Sequence, residues 1–199
     1  MKTILVTAYA VNPFKGSEDG TGWNIVKEIS KEFKVILITR KNNIPHLDRY
    51  FETATPELRN RIEYHGFDLP KGILKLKKMA GTKGHVVYFY LWQRAIIGFL
   101  KKQDLEFSAS FSLNFHSDSH PHFLWKLGKP SLWGPIGHHP RIPKHFVLKP
   151  YGVKAYIIDR LFYRVKWMMR NANPAFHQAV RKSERIFVIN SSIRKVIGA

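Results

Sequence analysis

Residues 3–24 read TILVTAYAVNPFKGSEDGTGWN, and this stretch decides the fold. It begins with an apolar run, continues through a loop rich in glycine, and ends at the start of an amphipathic helix. A short apolar run is typical of a buried parallel strand, so the stretch predicts a strand, a glycine loop and a helix. Such a loop can bring backbone N–H groups and the positive end of a helix up to a phosphate.

The glycine spacing differs from two common nucleotide-binding motifs. The dinucleotide fingerprint needs Gly-x-Gly-x-x-Gly in the turn and an acidic residue about 20 positions later, and a P-loop needs Gly-Lys-Ser or Gly-Lys-Thr. The stretch has neither pattern, which argues against a nicotinamide enzyme. The alternative to a phosphate-binding loop is a long connection whose glycines only satisfy positive φ angles.

Length and composition indicate one domain over residues 1–199. The chain has 199 residues and is 44% hydrophobic, which is enough for one sizeable core. It has no cysteine, so disulfides and thiolate chemistry are excluded. The apolar stretch after Lys2 is only about six residues long and does not resemble a signal peptide, so we expect a cytoplasmic protein.

The net charge of +19 is concentrated in two segments. Residues 71–103 hold 8 basic and no acidic side chains, residues 141–199 hold 13 basic and 2 acidic ones, and the rest of the chain is balanced. This distribution predicts a basic face that attracts an anionic partner or membrane surface. Nucleic acid is not the expected partner, because no motif of a known nucleic-acid fold is present. The basic surface is predicted to contain Lys75, Lys77, Lys78, Arg160, Arg164 and Lys166.

Apolar runs alternate with helical patterns along the chain. Because a strand, a helix and a strand follow one another in the first 40 residues, we expect a right-handed parallel crossover. The pattern predicts an α/β, Rossmann-like, mostly parallel sheet flanked by helices. Ser119 is a candidate cap for a helix that reaches Leu127, and helices are expected over residues 150–183 with a new start at Pro174. The later strands are predicted at Lys34–Thr39, Ile62–Phe67, Phe107–Phe115, Pro130–Trp133 and Arg185–Asn190.

Residues 86–100 are apolar nearly all round but too few to span a membrane, which takes about 20 apolar residues. We expect a helix buried against the sheet. The alternative is an interfacial segment, in which the lysines of residues 74–83 meet anionic head groups while neighbouring apolar side chains dip into the membrane.

Loops that follow parallel strands should converge on one crevice. In open α/β sheets ligands bind at the carboxyl ends of the strands, so the loops after Ala8, Phe115 and Trp133 are expected to meet there. Histidines in these loops either hydrogen-bond a substrate or are simply solvated. A zinc site over residues 116–122 is not expected, because the histidine spacing does not match that of known sites. The side chains and glycines predicted to line the crevice, opposite Gly16 and Ser17, are Asn114, His116, Gly134, Gly137, His138 and His139.

Four blocks of sequence together resemble one enzyme family. They are AYAVNPFKGSEDGTGWN at the start, VILITRKNN after the second strand, FLWKLGKPSLWGPIG in the middle and RIFVINSS near the end. With these blocks the chain resembles the N-terminal half of a family 4 glycosyltransferase of the two-domain GT-B architecture. The resemblance covers nearly the whole chain.

The resemblance implies roles for particular residues. It implies that Gly16, Ser17 and Glu18 lie beside the diphosphate of the sugar donor, and that Gly134, Pro135 and Gly137 lie in the interdomain cleft. The family's C-terminal donor-binding domain, with its two glutamates, has no counterpart in these 199 residues. The chain is therefore expected to be the acceptor-side domain and to transfer no sugar alone.

The function implied by the resemblance is transfer of a hexose-type sugar from a nucleotide sugar to a glycan or lipid-linked acceptor, with retention of configuration. The nucleotide sugar is a cosubstrate, and neither a cofactor nor a metal is implied. The expected location is the cytoplasm or the inner face of the membrane. The alternative is a basic α/β binding module for nucleic acid or an anionic membrane surface.

Overall fold

The computed structural model describes residues 1–115, 117–138 and 140–197, apart from the side chains of residues 82, 83, 194 and 195. In this part of the chain six parallel strands form one sheet with the order β3-β2-β1-β4-β5-β6. The predicted α/β fold with a Rossmann-like sheet is confirmed. The strands are β1 Thr3–Ala8, β2 Lys34–Thr39, β3 Ile62–Gly66, β4 Ala109–Leu113, β5 Ser131–Ile136 and β6 Arg185–Val188.

Helices connect the strands and cover the sheet. Short 3-10 turns occupy Lys41–Asn43 and Leu124–Leu127. The helices are α1 Ser17–Ile29, α2 Ile44–Thr53, α3 Pro56–Arg61, α4 Lys71–Met79, α5 Gly81–Leu100, α6 Lys144–Asn171, α7 Pro174–Lys182 and α8 Ser192–Ile197.

The two faces of the sheet carry separate cores because side chains alternate along each strand. Val6 points to the face covered by α1, where it packs in one cluster with Trp23. Leu5 points to the other face and shares a cluster with Trp92 of α5. The predicted buried helix over residues 86–100 is thus confirmed, and α5 begins five residues earlier than that segment.

Two predictions about local structure are wrong. Ser119 does not cap a helix, since only the short 3-10 turn Leu124–Leu127 forms before Gly128, which has a φ of 72°. Strand β5 does not end at Trp133 but continues through Gly134 and Pro135 to Ile136. A Gly-Pro pair resembles a loop in sequence, yet here Gly134 remains paired with β4 and Ile136 with β6.

Helix α6 is broken at Gly152, where φ is 79° and ψ is 179°. This conformation suits glycine, because other residues are strained at positive φ. Pro150 precedes the break and cannot donate a helical hydrogen bond. Residues 153–171 therefore form a helical segment with its own direction.

Candidate functional site

The candidate site lies at the carboxyl edge of the sheet, between β1 and β4. Chain connections run from β1 towards β2 and β3 on one side and from β4 towards β5 and β6 on the other. This reversal creates a crevice outside the strand ends, which is where ligands bind in open α/β sheets. The glycine loop follows β1 at this edge of the sheet.

Asn114 joins the two sides of the crevice. Its side-chain amide donates hydrogen bonds to the carbonyl oxygens of Ala10 and Glu18, the latter over 3.0 Å. The N–H of Phe115 donates to the Glu18 carboxylate over 3.2 Å. Asn114 is only 1% exposed, so the prediction that it lines an open cleft is wrong. Its amide is occupied in holding the end of β4 to the β1–α1 loop.

The N-terminus of α1 faces outward at Gly16 and Ser17, which are both exposed. No side chain among the described residues caps this helix. The first N–H groups of a helix have no intrahelical acceptor, and together with the helix dipole they attract anions. Gly16 and Ser17, two of the positions predicted for the donor diphosphate, thus lie at an uncapped helix end in an exposed loop. The carboxylate of Glu18, the third position, accepts a hydrogen bond from Phe115 instead.

Two glycines in α1 allow the helix to approach the loop closely. A Cβ atom at Gly20 would collide with the carbonyl oxygen of Lys15. One at Gly22 would collide with the Ala10 carbonyl and the Asn114 side chain. By contrast, a Cβ at Gly16 would meet no atom within 4 Å, so this position has room for a side chain.

The GPIG block contributes less to the crevice than expected. Gly134 is buried in β5, and a Cβ there would collide with the carbonyl oxygen of Phe187 on β6. Pro135 follows it through a cis peptide bond and is half-buried. Gly137 pairs with Ser117 across an isolated parallel bridge. The prediction that Gly134 lines the crevice is therefore wrong, since its close approach to β6 accounts for the glycine.

The turn after β1 and the turn after β5 do lie at the same edge of the sheet, with β4 between them. The turn after β5 begins only beyond Ile136, three residues later than expected. His116 and His139, both predicted to line the crevice, lie outside the described residues.

Asp118 is a buried carboxylate that contacts both the segment after β5 and helix α6. One of its oxygens lies 2.8 Å from Nδ1 of His138 and accepts a hydrogen bond from Arg170 over 2.7 Å. The Lys166 ammonium lies 3.6 Å from the other oxygen. His138 is thus buried in an ion-pair cluster rather than exposed to a ligand, which corrects its predicted role in the crevice.

His120 and His122 are both neutral at ordinary pH. Burial, with the charge of Lys166 as a second cause, lowers the pKa of His120 to about 4. Its Nδ1 lies 2.6 Å from the Ser117 hydroxyl, and its Nε2 has no hydrogen-bond partner among the described residues. Burial lowers the pKa of His122 to about 3, and its Nε2 lies 2.8 Å from the Ser183 hydroxyl. Within the described ranges no three His, Asp or Glu side chains are grouped as metal ligands.

A second buried polar cluster follows the ends of β1, β2 and β3. Lys77 of α4 lies 3.2 Å from the Tyr9 hydroxyl, and Arg40 pairs with Asp68 at 3.2 Å. Tyr88 donates to the Asp68 carboxylate over 2.7 Å. Burial lowers the pKa of Lys77 to about 8 and raises that of Tyr9 to about 12.

This cluster was not predicted, although the sequence contains a signal for it. Tyr9, Arg40 and Asp68 each follow the end of one of three adjacent strands, and such positions meet at the carboxyl edge of the sheet. The prediction that Lys77 belongs to the basic surface is wrong, because it is 7% exposed.

The remaining basic surface is smaller than expected. Lys75, Lys78 and Arg164 are exposed, whereas Arg160 and Lys166 are half-buried. Arg160 turns inward and donates a hydrogen bond to the carbonyl oxygen of Ile142.

In residues 153–171 of α6 the apolar side chains point to solvent and charged side chains point inward, the reverse of an ordinary surface helix. The charged side chains of Lys166 and Arg170 point inward to Asp118, and large apolar side chains point outward. Such a contiguous apolar surface marks a site of contact with a partner or a membrane. The exposed apolar residues of this segment are Val153, Ile157, Ile158, Leu161, Phe162, Val165, Trp167 and Met168.

An apolar cavity of about 400 Å³ lies between α5 and α6 beside the end of β4. Val87 of α5 and Phe162 of α6 line it and are also more than half exposed, so the cavity opens to the surface. Phe115, His120 and Lys166 contribute to its inner wall. Ligand pockets are commonly of this size and this apolar character.

None of the helices in the described part of the chain has the length and hydropathy needed to cross a membrane. A scan against protein-family models gives no match, and no curated protein matches the chain.

Proposed function

We propose that this chain is the acceptor-side domain of a nucleotide-sugar-dependent glycosyltransferase of family 4, with GT-B architecture. The observation that carries the proposal is the position of the glycine loop. It lies where the strand order reverses between β1 and β4, and it leads into a helix whose N-terminus is exposed and has no side-chain cap. This is a favourable place for a diphosphate.

The chemistry of sugar transfer fits such a site. When a sugar leaves a nucleoside diphosphate, negative charge develops on the departing phosphate. Fixed backbone N–H groups and a helix dipole stabilise that charge without reorganisation. Gly16 and Ser17 would provide the N–H groups, and both residues are exposed. The sugar would pass to a glycan or lipid-linked acceptor.

Saturation-transfer NMR with UDP and GDP, and with the corresponding nucleosides as controls, tests this proposal. We expect transfer from the protein to at least one of the diphosphates and none to uridine or guanosine, because the proposed contacts are made to phosphate. Equal signals from nucleoside and diphosphate, or none from either diphosphate, would contradict it.

A second candidate function is attachment to an anionic membrane surface, and the orientation of α6 favours it. The outward apolar side chains of residues 153–171 are accompanied by exposed Lys154 and Arg164. On α4, Leu76 and Met79 are exposed next to Lys75 and Lys78. Apolar side chains flanked by lysine and arginine suit the boundary between acyl chains and anionic head groups.

Sedimentation with vesicles separates this candidate from a nucleic-acid module. We expect the protein to bind anionic vesicles more tightly than neutral ones, and equal binding would exclude the electrostatic account. Binding to RNA or DNA that weakens steeply with salt would favour the nucleic-acid alternative instead.

A further inference from the structure

Lys77 is a buried lysine without an ion-pair partner in the described part of the chain. It is 7% exposed, and no carboxylate oxygen of the described residues lies within 4 Å of its Nζ. The Nζ donates a hydrogen bond to the Tyr9 hydroxyl over 3.2 Å. Lysines are almost never buried unless they are paired, because the ammonium loses its hydration. The site therefore favours an uncharged amine.

A neighbouring cation favours the uncharged amine further. The Arg40 guanidinium and the Lys77 ammonium both pack against the rings of Tyr9 and Tyr88, at 4.8–5.6 Å from the ring centroids. Burial first, and then the charge of Arg40, lower the pKa of Lys77 to about 8. A lysine that is desolvated or placed beside another cation is a nucleophile near neutral pH.

The fraction of uncharged amine distinguishes Lys77 from an ordinary lysine. At about pH 7.5 roughly a quarter of the Lys77 side chains would be uncharged, whereas about one in a thousand would be for a lysine with an unshifted pKa. The proposed glycosyltransferase site makes no use of this nucleophile.

The surroundings of Lys77 favour a small, uncharged reactant. Lys77 is one of the residues that line an apolar cavity of about 300 Å³ between α4 and α5. Leu76 and Val87 also line it and are more than half exposed, so the cavity opens to the surface. Carbon dioxide has three atoms and no charge, and it can enter an apolar space without a large loss of hydration. A larger electrophile would have to displace the packed tyrosine rings.

We propose that Lys77 is a carbamate-forming site, at which the side-chain amine reacts reversibly with carbon dioxide. The nitrogen lone pair forms a bond to carbon, one C=O electron pair moves onto oxygen, and the nitrogen releases one proton to water. The product carries one negative charge. Arg40 provides a positive charge beside it, and the Tyr9 hydroxyl can donate a hydrogen bond because burial raises the pKa of Tyr9 to about 12.

Carbon-13 NMR of the whole chain with carbon-13 bicarbonate at about pH 7.5 tests the proposal. We expect two carbamate resonances, one from Lys77 and one from the α-amino group of Met1, whose ordinary pKa is also near 8. Lys77→Met should lose one resonance and keep the other. Lys75→Met is the matched control, exposed on the same helix, and should keep both. A wild-type spectrum identical to that of Lys77→Met would overturn the proposal.

Unfolding in urea separates the effect of the fold from that of the amine itself. Unfolding exposes Lys77 and returns its pKa to that of an ordinary lysine, so its carbamate resonance should disappear while that of Met1 remains. Two resonances of unchanged intensity in urea would show that burial is not the cause and would overturn the proposal.

Chemical trapping identifies the modified residue. Triethyloxonium converts a carbamate into a stable ethyl ester, which mass spectrometry can locate in proteolytic peptides. We expect Lys77 to carry at least about tenfold more of this label than the exposed Lys75 and Lys78, because far more of its amine is uncharged. Equal labelling of the three lysines would overturn the proposal. None of these measurements uses a nucleotide, so their outcome is independent of the proposed sugar transfer.

Discussion

The side-chain amide of Asn114 donates to the carbonyl oxygen of Glu18 over 3.0 Å, although 96 residues separate them in the chain. This bond holds the end of β4 against the start of α1. Asn114 has a φ of 54°, a conformation that asparagine tolerates better than most residues other than glycine. The crevice between β1 and β4 therefore depends on one buried amide in an unusual backbone conformation.

Asn114→Ala should destabilise the protein by about 3 kcal/mol, because it removes the hydrogen bonds to the carbonyl oxygens of Ala10 and Glu18 and places alanine at positive φ. Asn114→Gly separates the two causes, since glycine accepts the backbone angle but lacks the amide. We expect urea denaturation to give a loss of about 2 kcal/mol for the glycine variant. A glycine variant as stable as the wild type would show that the hydrogen bonds contribute nothing.

Gly22→Ala should destabilise the protein by about 2 kcal/mol or more, since the new Cβ would collide with the backbone of Ala10 and with Asn114. Gly98→Ala is the matched control. Gly98 is exposed within α5, and a Cβ there meets nothing within 4 Å. That variant should gain about 0.5–1 kcal/mol from helix propensity. Similar unfolding free energies for the two variants would refute the close approach of α1 to the β1 loop.

A comparison of Gly16→Asp with Gly16→Asn separates the effect of an added charge on nucleotide binding from the effect of an added side chain at the N-terminus of α1. Both side chains fit at this position and are good helix caps, so both should stabilise the fold by about 0.3 kcal/mol relative to glycine. The aspartate also places a negative charge where the diphosphate is proposed to bind. If UDP or GDP binds there, Gly16→Asp should weaken its binding more than Gly16→Asn in the NMR titration. Unchanged binding in both variants would place the nucleotide elsewhere.

The buried Lys77 should make stability depend on alkaline pH. Burial lowers its pKa from 10.5 to about 8, so between these values the unfolded chain binds more protons than the folded one. Stability should therefore rise with pH from about 8 to about 10. Above pH 10 the raised pKa values of Tyr9 and Tyr88 oppose this rise, because the folded chain then retains protons that the unfolded chain loses.

Lys77→Met should flatten this dependence, as measured by urea denaturation at several pH values between about 7.5 and 9.5. Lys75→Met is the control, since Lys75 is exposed on the same helix and is not among the charges that shift the pKa of Lys77, so its loss should leave the slope unchanged. A slope that survives in Lys77→Met would assign the dependence to another group.

Two α6 variants separate the apolar and the electrostatic contributions to vesicle binding. Leu161→Gln removes an outward apolar side chain and should weaken binding to anionic and neutral vesicles about tenfold. Arg164→Gln removes an exposed charge and should weaken binding to anionic vesicles alone, by about fivefold. If neither variant changes sedimentation, α6 is not the surface that meets the membrane.

The strands were predictable because buried parallel strands are short apolar runs, such as KVILIT at residues 34–39. The extension of β5 to Ile136 was not predictable, because Gly134 and Pro135 have the composition of a turn. Only the contact with Phe187 explains the glycine. The glycine loop could be located from the sequence because it directly follows the first predicted strand.

It was harder to predict which side chains point into the protein and which point to solvent. Lys77 lies between exposed lysines in sequence, and only the packing of Tyr9 and Tyr88 around it accounts for its burial. Periodicity likewise identified an amphipathic helix in α6 but could not tell which side meets the protein. That depends on Asp118, a single carboxylate in another segment.

The inverted orientation of α6 has a practical consequence for handling the protein. Its outward isoleucine, leucine and phenylalanine side chains make little contact with the interior, so replacing several of them by polar residues should reduce aggregation at little cost in folding free energy. Removing the carboxylate of Asp118 would have the opposite result, because two inward cations would then lack a counterion.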